Sequence, residues 1–311
     1  MTEIPLTPSG SPPGTPPGPM PFRLLLDEAL RQARRHFRSL YLPVAIPVTI
    51  VATSVAAIQV SWFSRVLAEI GSQRTPFINP GYWILTLVYS ALLIVAYNVL
   101  QVGAVRAVSG QPVDMRLAWR FTLRWRVLFT LILWYALVLA SVFCCCLPAL
   151  FVGPLLSFVP AVMVDEGRFG TAAVSRSVEL TRHYTPGKWL EGPLVKVFLM
   201  IFVGMLLAYL AGMLVSLPFQ IPIYINMFRK AAAGVDVAAG MTSWMWLQVP
   251  SQFLNSLVST AVYLYVSFGI ALLFYDTRGR KEGTDLRAEI DAMFPAASPP
   301  PSPPPPGELP L

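Results

Sequence analysis

Five stretches without a charged side chain, 39–64, 75–105, 127–164, 197–228 and 237–275, alternate along the chain with shorter stretches in which Arg and apolar residues recur at helical spacing. A charge at bilayer depth costs a few kcal/mol, and about 20 apolar residues cross the hydrocarbon. Runs of this length and purity therefore predict membrane-spanning helices. The run 127–164 is too long for one crossing and carries Pro148, Gly153 and Pro154 near its middle, where a chain can reverse, so it divides into two short spans. The run 237–275 opens with Trp244, Trp246, Gln248 and Pro250, residues suited to an aromatic belt, which places the start of the last span near Ser251. The expected fold is an all-α, polytopic transmembrane bundle of about six spans.

The basic residues test that count, because Lys and Arg in short loops stay on the cytoplasmic side. With six spans, 19 of the 23 cations fall on one side, leaving only Arg65, Arg74, Arg229 and Lys230 on the other. With five spans they divide 12 to 11, which is no bias. Six spans with both ends in the cytoplasm is the better topology.

Three of the cytoplasmic stretches have an amphipathic pattern. In 22–38 the residues Phe22, Leu26, Ala29, Leu30, Ala33 and Phe37 share one helical face and Arg23, Asp27, Arg31, Arg34 and Arg38 the other, the pattern of a helix lying in the headgroup region. In 115–126, Arg116, Arg120 and Arg124 form a stripe beside Trp119 and Trp125; in 171–184 a polar stretch carries Arg176, Glu179 and Arg182. The order reads as three repeats of interfacial helix plus membrane hairpin.

Composition agrees: 55% of residues are apolar and 13% charged, about half the charge of a water-soluble domain. The net charge of +7 is strung between apolar runs and not gathered on one soluble face, so a nucleic-acid partner is not expected. The domain 22–291 is flanked by Pro-rich tails, 1–21 and 292–311, expected to be disordered; residues 1–21 hold 8 of the 30 prolines and 295–311 hold 9. The N-terminus lacks the pattern of a cleaved signal peptide, and the first span is expected to be retained as its own insertion signal. The three cysteines, Cys144, Cys145 and Cys146, are consecutive within an apolar run and offer neither a disulfide framework nor a CxxC site.

The densest chemistry closes the last span: Leu273-Phe274-Tyr275-Asp276-Thr277-Arg278-Gly279-Arg280-Lys281-Glu282-Gly283-Thr284-Asp285-Leu286. With Val164-Asp165-Glu166-Gly167 and the helix Ala173-Val174-Ser175-Arg176-Ser177-Val178-Glu179-Leu180, it resembles the glycerophosphoryl diester phosphodiesterase membrane-domain family over most of 22–291. The resemblance rests on an acidic residue ending the fourth span, an Ala-x-x-Arg-Ser-x-x-Leu helix and a closing Tyr-Asp-x-Arg-x-Arg-x-Glu-Gly-x-Asp-Leu. It implies a prokaryotic plasma membrane and, with 25 residues after Leu286, the stand-alone kind that lacks the soluble diesterase barrel. The two histidines, His36 and His183, lie on separate stretches, so diester hydrolysis by this chain is not expected.

Two readings of the closing motif stand. In one, Asp276 or Glu282 pairs with Arg176 or Arg182 to form a salt-bridge cap that, with Arg278, Arg280 and Asp285, shapes a lipid-headgroup or partner site; in the other, the motif is a solvated anchor. The adjacent Asp165 and Glu166 are candidates to hold a cation, or a surface cap. Lys196 is expected to snorkel, and Asn98 and Asn255 to tie helices together.

The expected function is thus non-catalytic: organising lipids with anionic headgroups, or partner proteins, at the inner membrane surface, without a cofactor or metal. A transporter for an apolar or lipid-like solute is the alternative, with Pro43, Pro47, Pro154, Pro160, Pro218 and Pro222 able to break helices around a cavity that would reach Asn98, Gln101 and Asn255. An enzyme would need Asp165, Glu166, His183 and Asp276 to converge.

Overall fold

In lipid, backbone N–H and C=O groups must find partners within their own segment, so apolar runs of this length fold as helices. The computed structural model describes residues 20–69, 80–144, 146–182, 192–233 and 245–293, and every regular element among them is helical. They form α1 (Phe22–Arg35), α2 (Phe37–Leu40), α3 (Leu42–Glu69), α4 (Pro80–Val108), α5 (Met115–Thr122), α6 (Trp125–Cys144), α7 (Cys146–Leu156), α8 (Val159–Asp165), α9 (Thr171–Thr181), α10 (Pro193–Ala232) and α11 (Gln248–Met293).

Five of these, α3, α4, α6, α10 and α11, are long and apolar enough to cross a membrane. The short apolar pair α7–α8 stands where the fourth of the six spans is expected; α7 packs against α6, and α8 against α4 and α9. α6 ends at Cys144 and α7 begins at Cys146, so the boundary between these elements precedes the expected Pro148 to Pro154. Pro154 sits inside α7, and the chain breaks at Ser157–Phe158, just ahead of Pro160 in the first turn of α8. Pro47, Pro218 and Pro222 likewise lie within continuous helices.

The element order reproduces the expected arrangement three times: α1–α2 before α3–α4, α5 before α6 and α7–α8, and α9 before α10–α11. The bundle is organised around α11, which packs against α1, α3, α4 and α10. Of its most apolar window 56% is buried, against 17% for that of α6, so α6 is the lipid-facing wall and α11 the hub. Phe268, Phe274 and Leu264 on α11 are wholly enclosed, with Leu40, Leu100 and Met200 against them.

The first interfacial helix is docked onto this hub. Leu25, Ala29 and Ala33 form its buried stripe, while Leu30 and Phe37 of the expected apolar face are about 40% exposed. The face is rotated by about one residue from the sequence expectation because α11 takes the stripe centred on Ala29. Lys196, expected to snorkel, is 2% exposed and donates from Nζ to the carbonyl of Met20 at 2.8 Å.

Candidate functional site

Three features hold the polar chemistry: an ion-pair network, a basic elbow and a cavity. The network begins where α8 ends at Asp165, with Glu166 as its C-cap. Gly167 and Gly170 then adopt positive φ, the left-handed conformation open to glycine without strain, and turn the chain into α9. The turn sets Arg176 beside Glu166, with Nε donating to the two carboxylate oxygens at 3.0 and 3.2 Å. Arg168, on the turn, meets the same carboxylate at 3.2 Å.

Beyond Tyr275, α11 continues without a break, which places Tyr275, Arg278 and Glu282 on one face at i, i+3 and i+7. The Tyr275 hydroxyl donates to Asp165 at 2.8 Å, and the Arg278 guanidinium pairs with the same carboxylate. Arg278 Nε also donates to Glu282 at 2.8 Å, and Arg176 reaches Glu282 at 3.2 Å. Lys281 pairs with Glu179, which Arg176 contacts at 3.2 Å. On the neighbouring face Arg280 donates to Asp276 at 2.6 Å.

The carboxylates of Asp165, Glu166, Glu179 and Glu282 thus meet Arg168, Arg176, Arg278 and Lys281, tying the end of α8, α9 and the C-terminal part of α11 together, while the Asp276–Arg280 pair stays within α11. The bond from Lys281, joined by that from Arg176, holds the Glu179 carboxyl below the usual carboxylate range. Burial works against the Arg176 charge, but Glu166 and Glu179 outweigh it and raise its pKa.

The expected pairing of Glu282 with Arg176 is present, whereas Asp276 pairs within its own helix. Arg182 is the exposed C-cap of α9 and has no ion pair among the described residues. The Asp285 side chain, His183, Glu191 and Cys145 lie outside what is described, as do the tails 1–19 and 294–311. Asp165 and Glu166 take guanidinium partners, and no group of three metal-binding side chains occurs among the described residues.

The elbow is α5 and the start of α6. Asp114 caps α5, accepting from the Arg116 amide at 2.8 Å, and Ala118 and Thr122 form its buried face. Asn98 donates to Thr122 at 3.1 Å, so this amide ties α4 to α5 as expected. Arg116, Arg120, Arg124 and Arg126 are all exposed, interleaved with Leu117, Leu123 and Trp125, the last 72% exposed. Arg124 lies over the Phe121 ring and Arg126 over Trp125, each 5.7 Å from the centroid. None of the four forms an ion pair among the described residues.

Within the bundle a cavity of about 270 Å³ is lined by residues that include Gln101, Trp134, Gly153, Pro160, Met205 and Tyr263. It reaches Gln101 but neither Asn98 nor Asn255. A second hollow of about 450 Å³ lies between α10, around Gln220 and Tyr224, and the start of α11. Of the residues the sequence associated with a cavity, Gln101 and Pro160 line this one, whereas Trp134, Gly153, Met205 and Tyr263 carried no such signal. Glu179 and Lys281 were also missed as network members, although Glu179 stands one turn after Arg176.

No family model matches the chain, and neither does any curated protein or solved structure.

Proposed function

We propose that the protein is a non-catalytic membrane protein that gathers anionic lipids at the cytoplasmic face of a prokaryotic plasma membrane, with both termini on that side. The observation that carries this is the elbow. Its four exposed arginines are interleaved with exposed Leu and Trp, the composition that sits at a charged membrane surface, where each cation contributes about 1 kcal/mol of attraction. The closing motif has the opposite character: Arg278 and Arg280 already face carboxylates of this chain. Its resemblance to the glycerophosphoryl diester phosphodiesterase membrane domains therefore supports a shared structural brace, and lipid recruitment moves to α5. The arrangement of α1, α9 and the end of α11, joined to one another or to α8 on one side, supports the N-in, C-in topology.

The test is lipid extracted with the protein into native nanodiscs, comparing wild type with Arg116→Gln/Arg120→Gln/Arg124→Gln and with Arg278→Gln/Arg280→Gln. The anionic fraction is expected to fall severalfold in the α5 variant, and more at low than at high salt. The closing-motif variant is expected to keep the lipid and lose thermal stability. An unchanged lipid profile in the α5 variant, or loss of a specific co-purifying protein in its place, overturns the reading.

A further inference from the structure

The cavity between α4, α6, α7, α8, α10 and α11 is walled almost entirely by apolar side chains, and no charged residue lines it. Two polar groups in its wall are half-used. Gln101 Nε2 donates to the Tyr263 hydroxyl at 3.3 Å, but the hydroxyl's own hydrogen has no acceptor and the Gln101 carbonyl no donor among the described residues. In a hydrocarbon setting an unmet donor and acceptor side by side are costly. A single hydroxyl, which accepts one hydrogen bond and donates another, satisfies both at once.

The wall opens sideways. Met205, one of its lining residues, is 67% exposed on the lipid-facing side of α10, so an occupant enters from the bilayer and needs no aqueous route. Size sets a limit, because about 270 Å³ is the room of roughly nine water molecules. That suits one hydrocarbon chain segment and is too small for a two-chain lipid. Depth sets another: Gln101 lies about 10 Å along α4 from its cytoplasmic end at Val108, where a charged headgroup is expensive.

The geometry points to a binding site for a neutral single-chain lipid bearing a hydroxyl, of the class of long-chain alcohols and monoacylglycerols, with the hydroxyl between Tyr263 and Gln101 and the chain lying past Gly153 towards Met205. Gly153 makes the site testable, because it lines the cavity and a Cβ added there meets no atom within 4 Å, which leaves open space for a larger side chain to enter. The site is independent of the basic elbow, so either can fail alone.

The experiment uses the full chain in phosphatidylcholine nanodiscs with a photoreactive hexadecanol carrying a mid-chain diazirine, the labelled peptides being mapped by mass spectrometry. Saturable labelling of α6, α10 or α11 is expected, competed by hexadecan-1-ol about tenfold better than by hexadecane. Gly153→Leu is expected to abolish it while preserving the melting temperature. Tyr263→Phe, which changes no shape, is expected to make alcohol and alkane compete equally. Labelling that persists in Gly153→Leu, or alkane or phospholipid competing as well as the alcohol in wild type, overturns the proposal. Should Gly153→Leu misfold, Tyr263→Phe decides: an alcohol preference that survives it overturns the assignment.

Discussion

Ser177 is wholly buried on α9, and its hydroxyl donates at 2.7 Å to the carbonyl of Leu155 on α7. That carbonyl is left over because the break at Ser157–Phe158 interrupts the helical bond it would accept, and Pro160 just beyond has no N–H to offer its neighbour. The hydroxyl of Thr181 lies 3.4 Å from the same oxygen. A serine on an interfacial helix therefore satisfies a defect in a membrane crossing. Ser177→Ala is expected to destabilise the fold by about 1–3 kcal/mol, the usual consequence of stranding a buried acceptor, and detergent-phase unfolding curves check it. From sequence this serine was one letter of a resemblance motif, and nothing in its neighbours announced a partner 22 residues upstream.

At the scale of elements, α10 and α11 approach closely because glycine stands at their contacts: Gly204 faces Val266, Gly212 faces Asn255, and Gly269 faces Met200. An added methyl at Gly204 would overlap the Val266 side chain, so Gly204→Ala is expected to lower stability by about 1–3 kcal/mol. Thermal melts alongside Gly153→Ala, where the methyl has room, check the contrast. These helices were legible as spans because the absence of charge over some 20 residues is a strong local signal. Their turning points were less so. Pro154, Pro218 and Pro222 looked like breaks, yet they lie within helices, since neighbouring helices in lipid tolerate the lost bond, and α6 gives way to α7 ahead of Pro148. The stripe on α1 was misplaced by about one residue for a related reason, since Leu30 and Leu25 are chemically alike and only α11 distinguishes them. Lys196 found a carbonyl 176 residues away, beyond any local pattern.

Across the whole molecule, the network at the ends of α8, α9 and α11 was half legible: its acids and bases stood in two separate motifs, and only their pairing needed the fold. Its strength should depend on pH in one direction. Glu179 is held below the usual carboxylate range by Lys281 and then Arg176, so on acidification the unfolded chain takes up that proton first. The stability from these contacts is present above the ordinary carboxylate range and is lost as pH falls through it. Melting temperature against pH is expected to drop below about pH 4.5 in wild type, and Glu179→Gln to give a flatter acid limb. The helix that carries one side of this network runs unbroken from Gln248 to Met293, about 69 Å of α-helix, and passes Tyr263 at the cavity on the way. Such a rod is stiff, and a tilt of about 5° moves one end by about 6 Å relative to the other. The molecule therefore has a lever arm: displacement of the charged end is carried along one continuous helix past the cavity wall to the opposite end of the bundle.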